Sequence, residues 1–178
     1  MRGSNTRKAS SRRKRSAIVV AVTNRQRRRV DRRVLERAVR SVLELGRSAA
    51  AEIVVAIVDA STIRRLNRQF LGHDYVTDAL SFRFSPQGER TVVGEIVVCA
   101  DLAAKMASKQ PWSWHEELTL YVVHAGLHLV GYNDQTAAQR RRMRSAERDI
   151  LDQLGLSVEP GALRKPASSV PRKTRPKP

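Results

Sequence analysis

Apolar residues along this chain follow two rhythms, and the changes between them mark its elements. AIVVAV (17–22) is an apolar run of strand length, and EIVVAIV (52–58) is a second. The second run is apolar nearly throughout, as a strand central in its sheet should be. Between them Val30, Val34, Leu35, Ala38, Val39, Val42 and Leu43 recur at helical spacing, and Gly46 is placed to end that helix. A short helix is predicted next, with Ile63, Leu66 and Phe70 on one side and Arg64, Arg65 and Arg68 on the other. In ALSFRF (79–84), Leu80, Phe82 and Phe84 alternate with Ala79, Ser81 and Arg83, the period of a half-buried strand. The turn residues SPQGE lead into TVVGEIVVC (91–99), so these two strands should pair as a hairpin.

From residue 101 onward the pattern is helical. Asp101 is expected to cap a short helix running through Lys109, which Pro111 stops. Ser113 and Glu116 form an S-x-x-E capping box ahead of LTLYVVHAGLHLV (118–130). That segment is apolar on nearly all sides, so its helix should be buried, and Gly131 is placed to end it. Thr136 with Gln139 opens a last helix, along which Met143, Ala146, Ile150, Leu151 and Leu154 keep helical spacing up to Gly155. The order of elements predicts an α+β fold: one mixed β-sheet of about four strands, covered by helices.

Charge divides the chain. It carries 34 Lys+Arg against 17 Asp+Glu, and the excess concentrates at the two ends. Residues 1–15 hold seven basic residues and no acidic one; residues 156–178 hold six basic residues against Glu159. Both ends are expected to be disordered basic arms flanking a single domain at 16–155. Arms of this kind bind polyanions, because each neutralised phosphate releases a counterion. Nucleic acid is the expected partner, and a membrane is not, since no amphipathic helix carries the charge. Cys99 is alone, no apolar run reaches spanning length, and a cytoplasmic protein is expected. The arginine- and serine-rich beginning also has the composition of a transit peptide.

The candidate chemistry lies in HAGLHLVGYND (124–134). Residues four apart share one helix face, so His124 and His128 can reach one cation. Gly131 allows a sharp reversal, which can return Asp134 toward the same point. Two imidazoles and one carboxylate leave a fourth position open, the stoichiometry of a catalytic zinc site. The spacing is that of zinc peptidases, but those need a glutamate directly after the first histidine, where this chain has Ala125. Proteolysis is therefore disfavoured. Trp112 and Trp114 are flat enough to stack bases, but such residues more often pack at a helix entrance.

These residues resemble a known family, the YbeY-type endoribonucleases that mature 16S rRNA. Their signature H-G-x-L-H-L-x-G-Y-D-H is similar to 124–134 here; LNRQFLGHDYVTDALSF (66–82) and GEIVVCADLAAKMA (94–107) are similar to two further blocks of the family. The resemblance implies one divalent metal ion, most commonly zinc, held by His124, His128 and Asp134 as metal ligands and catalytic residues. It implies hydrolysis of single-stranded RNA, 16S rRNA 3′-end maturation on the small ribosomal subunit, and a role in ribosome quality control. Arg64, Arg65 and Arg68 would then hold the RNA backbone, and His73, Asp74 and Ser81 would line the cleft. Three departures stand out. Asp134 replaces a histidine, Asn133 replaces an aspartate, and Leu71 replaces an arginine tied to RNA binding or catalysis. The last departure also suits a non-catalytic rRNA-binding assembly factor.

Overall fold

The computed structural model describes residues 17–160. The two basic arms expected at 1–15 and 156–178 therefore lie outside the described residues, apart from 156–160. Four strands, β1 (Ile18–Asn24), β2 (Ala50–Val58), β3 (Ala79–Arg83) and β4 (Thr91–Cys99), form one mixed sheet in the order β1-β2-β4-β3. β1 and β4 both run parallel to β2, while β3 returns antiparallel to β4 as the expected hairpin. Five helices complete the fold: α1 (Arg32–Leu45), α2 (Ala60–Leu71), α3 (Ala100–Ala107), α4 (Trp114–Leu129) and α5 (Ala137–Gln153).

Period-2 alternation distributes the central strands between two cores. Ile53, Val55 and Ile57 of β2 and Ile96 and Val98 of β4 point into the larger core, with α1, α4 and α5. Ala56, Val58, Val97 and Cys99 point the other way, onto Ile63 of α2 and Leu80 of β3. This is why both strands read as unbroken apolar runs: each has a covered face on both sides. α4 lies in the middle of the larger core and packs against α1, α3, α5, β3 and β4. Nearly its whole circumference is buried, including Leu118, Val122, Val123 and Leu127. Burying a side chain such as Leu127 contributes about 1.5–3 kcal/mol, so the helix that carries the two histidines is anchored on every side.

Both capping boxes form, Ser113 with Glu116 and Thr136 with Gln139. Other boundaries differ from the sequence pattern. α3 is capped by Cys99, whose Sγ accepts the Leu102 N–H at 3.4 Å. Asp101 sits inside the first turn, and its carboxylate accepts the Ala60 N–H at 2.9 Å, tying α3 to the start of α2. Gly46 does follow α1, but at φ −74°, where any residue is comfortable. Its reason is space, since a Cβ there would lie 2.6 Å from Val130 Cβ. Phe70 and Phe84, expected on the apolar faces of α2 and β3, are 53% and 66% exposed, because α2 reaches the smaller core through Leu66 and Leu71 and β3 through Leu80 and Phe82. Packing also runs past Gly155: Leu156 touches the larger core and Val158 is buried in it. No helix among the described residues is long and apolar enough to cross a membrane.

Candidate metal centre

α4 stops one residue after its second histidine, at the point where the chain must reverse. Gly131 adopts φ +98°, a left-handed conformation costly for other residues. The Gly131 N–H donates to His128 O at 3.1 Å and the Tyr132 N–H to Leu127 O at 3.0 Å, closing the end of the helix. Arg140 from α5 then pins the returning chain by donating to the carbonyls of Asp134 and Gln135, at 3.0 and 2.8 Å. The result is convergence: ligand atoms of His124, His128 and Asp134 all lie within 4.8 Å of one another. Asn133, next in the chain, is exposed.

The two rings meet edge to face at 89°, with their Nε2 atoms 3.3 Å apart. Hydrogen-bond partners fix which nitrogen of each ring carries the proton. His128 Nδ1 lies 3.0 Å from Tyr132 O; a carbonyl only accepts, so Nδ1 donates. His124 Nδ1 lies 2.6 Å from Glu147 Oε1 and donates to that carboxylate. In the neutral rings both Nε2 atoms therefore present lone pairs to each other. Such an arrangement calls for a cation between them, and its spacing fits one. Two nitrogens bound tetrahedrally to zinc at about 2.0–2.1 Å lie about 3.3 Å apart.

Sequence reasoning passed over Glu147. It lies on α5, 1% exposed, among Met143, Ala146, Ile150 and Leu151. A carboxylate set on an apolar helical stripe was the available signal.

A cleft of about 410 Å³ opens on the site, lined by Leu71, Ser81, Arg83, His124, His128 and Asp134 among others. His73 and Ser81 line this cleft as expected, but Asp74 does not. Asp74 instead takes two hydrogen bonds from Arg64, both 2.9 Å, and has Arg68 at 3.9 Å. The bond from Arg64 holds the Asp74 carboxyl below its ordinary range. Arg64, Arg65 and Arg68 are not among the residues lining the cleft; Arg65 borders a separate hollow with Arg25 and Phe70. The cleft's guanidinium is Arg83, which strand alternation alone does not mark as functional. It donates to five carbonyls, those of Ser85, Leu129, Pro86, Glu89 and, at 3.5 Å, Thr91. No ion pair to Arg83 is present among the described residues. Trp112 donates to Glu117 at 2.7 Å, Trp114 lies tilted against His115 with centroids 4.1 Å apart, and both pack on the larger core at the entrance of α4.

Fold and site together define a class: a small α+β domain that presents two helix-borne imidazoles and a carboxylate at the floor of a cleft. The sequence model of one family, Endoribonuclease YbeY, matches residues 21–155, and the chain belongs to that family. The endoribonuclease YbeY of Chlorobium luteolum is 35% identical over 133 residues, covering 75% of this chain and 96% of the relative. That of Rhodopirellula baltica is 42% identical over 106 residues, covering 58% of this chain and 54% of the relative. That of Bacillus velezensis is 35% identical over 117 residues, covering 60% and 74%. The solution structure of TM1509 from Thermotoga maritima shares the fold, with a TM-score of 0.53 and 20% identity, over 82% of this chain and all of that one.

Proposed function

We propose that this chain is a metal-dependent endoribonuclease that cuts single-stranded RNA, with the 3′ end of 16S rRNA as its substrate and ribosome quality control as its setting. One observation carries the metal reading: two imidazoles whose Nδ1 atoms are both engaged as donors turn their lone pairs toward each other at 3.3 Å, beside Asp134. Relatives named as endoribonucleases supply the reaction class. His124, His128 and Asp134 would hold one divalent ion, and a set of two imidazoles and one carboxylate suits zinc. A divalent ion bound there supplies Lewis acidity, lowering the pKa of water and polarising a phosphoryl oxygen.

The chain's own residues do the rest. Arg83 places a permanent positive charge in the cleft for the scissile phosphate. Five neutral carbonyls hold its guanidinium still without cancelling that charge. It stands in the same cleft as Leu71, where the family arginine is expected, and offers the cation that position lacks. Arg65 and the Asp74-linked pair Arg64 and Arg68 act farther out on the RNA backbone, where contacts position without reading sequence. Ala125 leaves no carboxylate beside the first histidine, so peptide hydrolysis remains disfavoured.

Leu71 also favours a second reading, an rRNA-binding assembly factor without catalysis. Purified protein mixed with single-stranded RNA, with and without chelator and beside Asp134→Ala, separates the two. Cleavage that chelator and the substitution both abolish supports the nuclease. Salt-sensitive binding with no cleavage under any condition supports the assembly factor.

A further inference from the structure

Glu147 is held out of water on α5, yet it carries a formal charge and meets a candidate ligand from another helix. Its carboxyl group has 2% side-chain exposure and the His124 imidazole 13%, and the two are joined by a bond of 2.6 Å. Burying a carboxylate costs several kcal/mol, and replacing a buried ion pair with apolar groups of similar volume is commonly neutral or stabilising. Packing alone would therefore be served as well by a wholly apolar contact here, in keeping with the stripe of Met143, Ala146, Ile150 and Leu151, so the carboxylate answers to His124.

We infer that Glu147 is a positioning residue: through Nδ1 it fixes the tautomer and ring orientation of His124, so that Nε2 faces the cleft as a prepared metal ligand. The inference rests on the metal reading above. Left to itself, neutral imidazole can carry its proton on either nitrogen, and a proton on Nε2 removes the lone pair a metal needs. A carboxylate at Nδ1 excludes that tautomer and makes Nε2 a stronger donor. His128 receives its counterpart from the backbone, through Tyr132 O. The two ligands are thus set by different parts of the chain. His128 is oriented by the turn that ends its own helix, whereas His124 is oriented by α5, docked from 23 residues away.

Two substitutions test this, Glu147→Leu and Glu147→Gln, in the full chain. The first reading is ring ¹⁵N NMR of the metal-free protein. The unsubstituted protein should show His124 protonated at Nδ1, and Glu147→Leu should show a mixture with the Nε2 form. The second is zinc affinity by competition with a chromophoric chelator: Glu147→Leu should bind about 10–100-fold more weakly, with Glu147→Gln between. Melting of the metal-free proteins is the control for folding: Glu147→Leu strips the His124 Nδ1–H of its acceptor and should melt below the unsubstituted protein, whereas Glu147→Gln keeps an acceptor there and should melt closer to it. A lowered melting point with tautomer and zinc affinity unchanged would overturn the inference and leave Glu147 a structural group. If the unsubstituted protein binds no zinc, the metal reading fails by itself. The ¹⁵N spectra then still decide whether Glu147 orients the ring.

Discussion

Gly46 to alanine is a small change remote from the cleft in sequence, yet the structure makes it a test of how the site is held. The new methyl carbon would lie 2.6 Å from Val130 Cβ, 2.8 Å from Cγ1 and 3.1 Å from Cγ2. Carbon atoms in good contact sit about 3.5–4.0 Å apart, so Val130 must withdraw by about 1 Å. It cannot do so by turning a flexible side-chain end, because its Cβ is itself in the way. The backbone at Gly46, φ −74°, suits alanine, which alone would bring about 0.4–1 kcal/mol through a less mobile unfolded chain. Overpacking costs about 1–3 kcal/mol and outweighs that gain. A net loss of about 1–2 kcal/mol should lower the melting point by roughly 2–8 °C in a domain of this size. Val130 also caps α4, two residues after His128 and one before the Gly131 reversal that returns Asp134. Zinc affinity should therefore fall with stability. Calorimetric melting with and without zinc, alongside chelator competition, provides both readings. A Gly46→Ala protein that melts as high as its parent and binds zinc equally well would refute the steric argument and the coupling of α1 to the site.

Asp134→Ala should abolish RNA cleavage and the thermal upshift on adding zinc, which for the unsubstituted protein should reach about 2.7 kcal/mol at a hundredfold excess over Kd; differential scanning fluorimetry with and without chelator reads it. Arg83→Met should weaken RNA binding and reduce by about one the number of ion contacts inferred from the salt dependence of Kd, with zinc affinity kept. An unchanged salt slope would remove Arg83 from the phosphate site. Asp59→Ala should cost about 1 kcal/mol by uncapping α2, where the carboxylate accepts the Thr62 N–H at 2.7 Å. That bond holds the Asp59 carboxyl below its ordinary value of 3.8. The capping contribution is therefore full above about pH 4 and is lost as pH falls through the lower folded value, so denaturation curves of the two proteins should converge in acid.

Elements held together locally were readable in the sequence. The two capping boxes, the apolar α4 and the β3–β4 hairpin each carry their information within one continuous stretch of chain, and the spacing of His124, His128 and Asp134 anticipated their convergence. What escaped was set by partners distant in the chain. Gly46 reads as a helix terminator, which it is, but the reason for a glycine there shows only when Val130 is seen beside it. Phe70 and Phe84 satisfy the helical and strand periods, but both stay largely exposed, Phe70 with only the edge of Phe82 against its ring. Arg83 looks like the outward residue of an alternating strand, whereas its charge is turned across to the end of α4. Glu147 becomes legible only when α5 is docked on α4.

The sheet order leaves β1 at one margin, with β2 as its sole strand neighbour among the described residues and Val19 54% exposed. An unpaired strand margin invites another chain to add to it. Here the strand leads into a run containing Arg25, Arg27, Arg28 and Arg29, on a chain whose formal net charge is +17. Two copies approaching margin to margin would bring like charges together, so mutual repulsion should oppose pairing at this margin. Since salt shortens the reach of that repulsion to about 3 Å at 1 M, concentrated stocks should stay dispersed best in dilute buffer, until a polyanion shields the arginines.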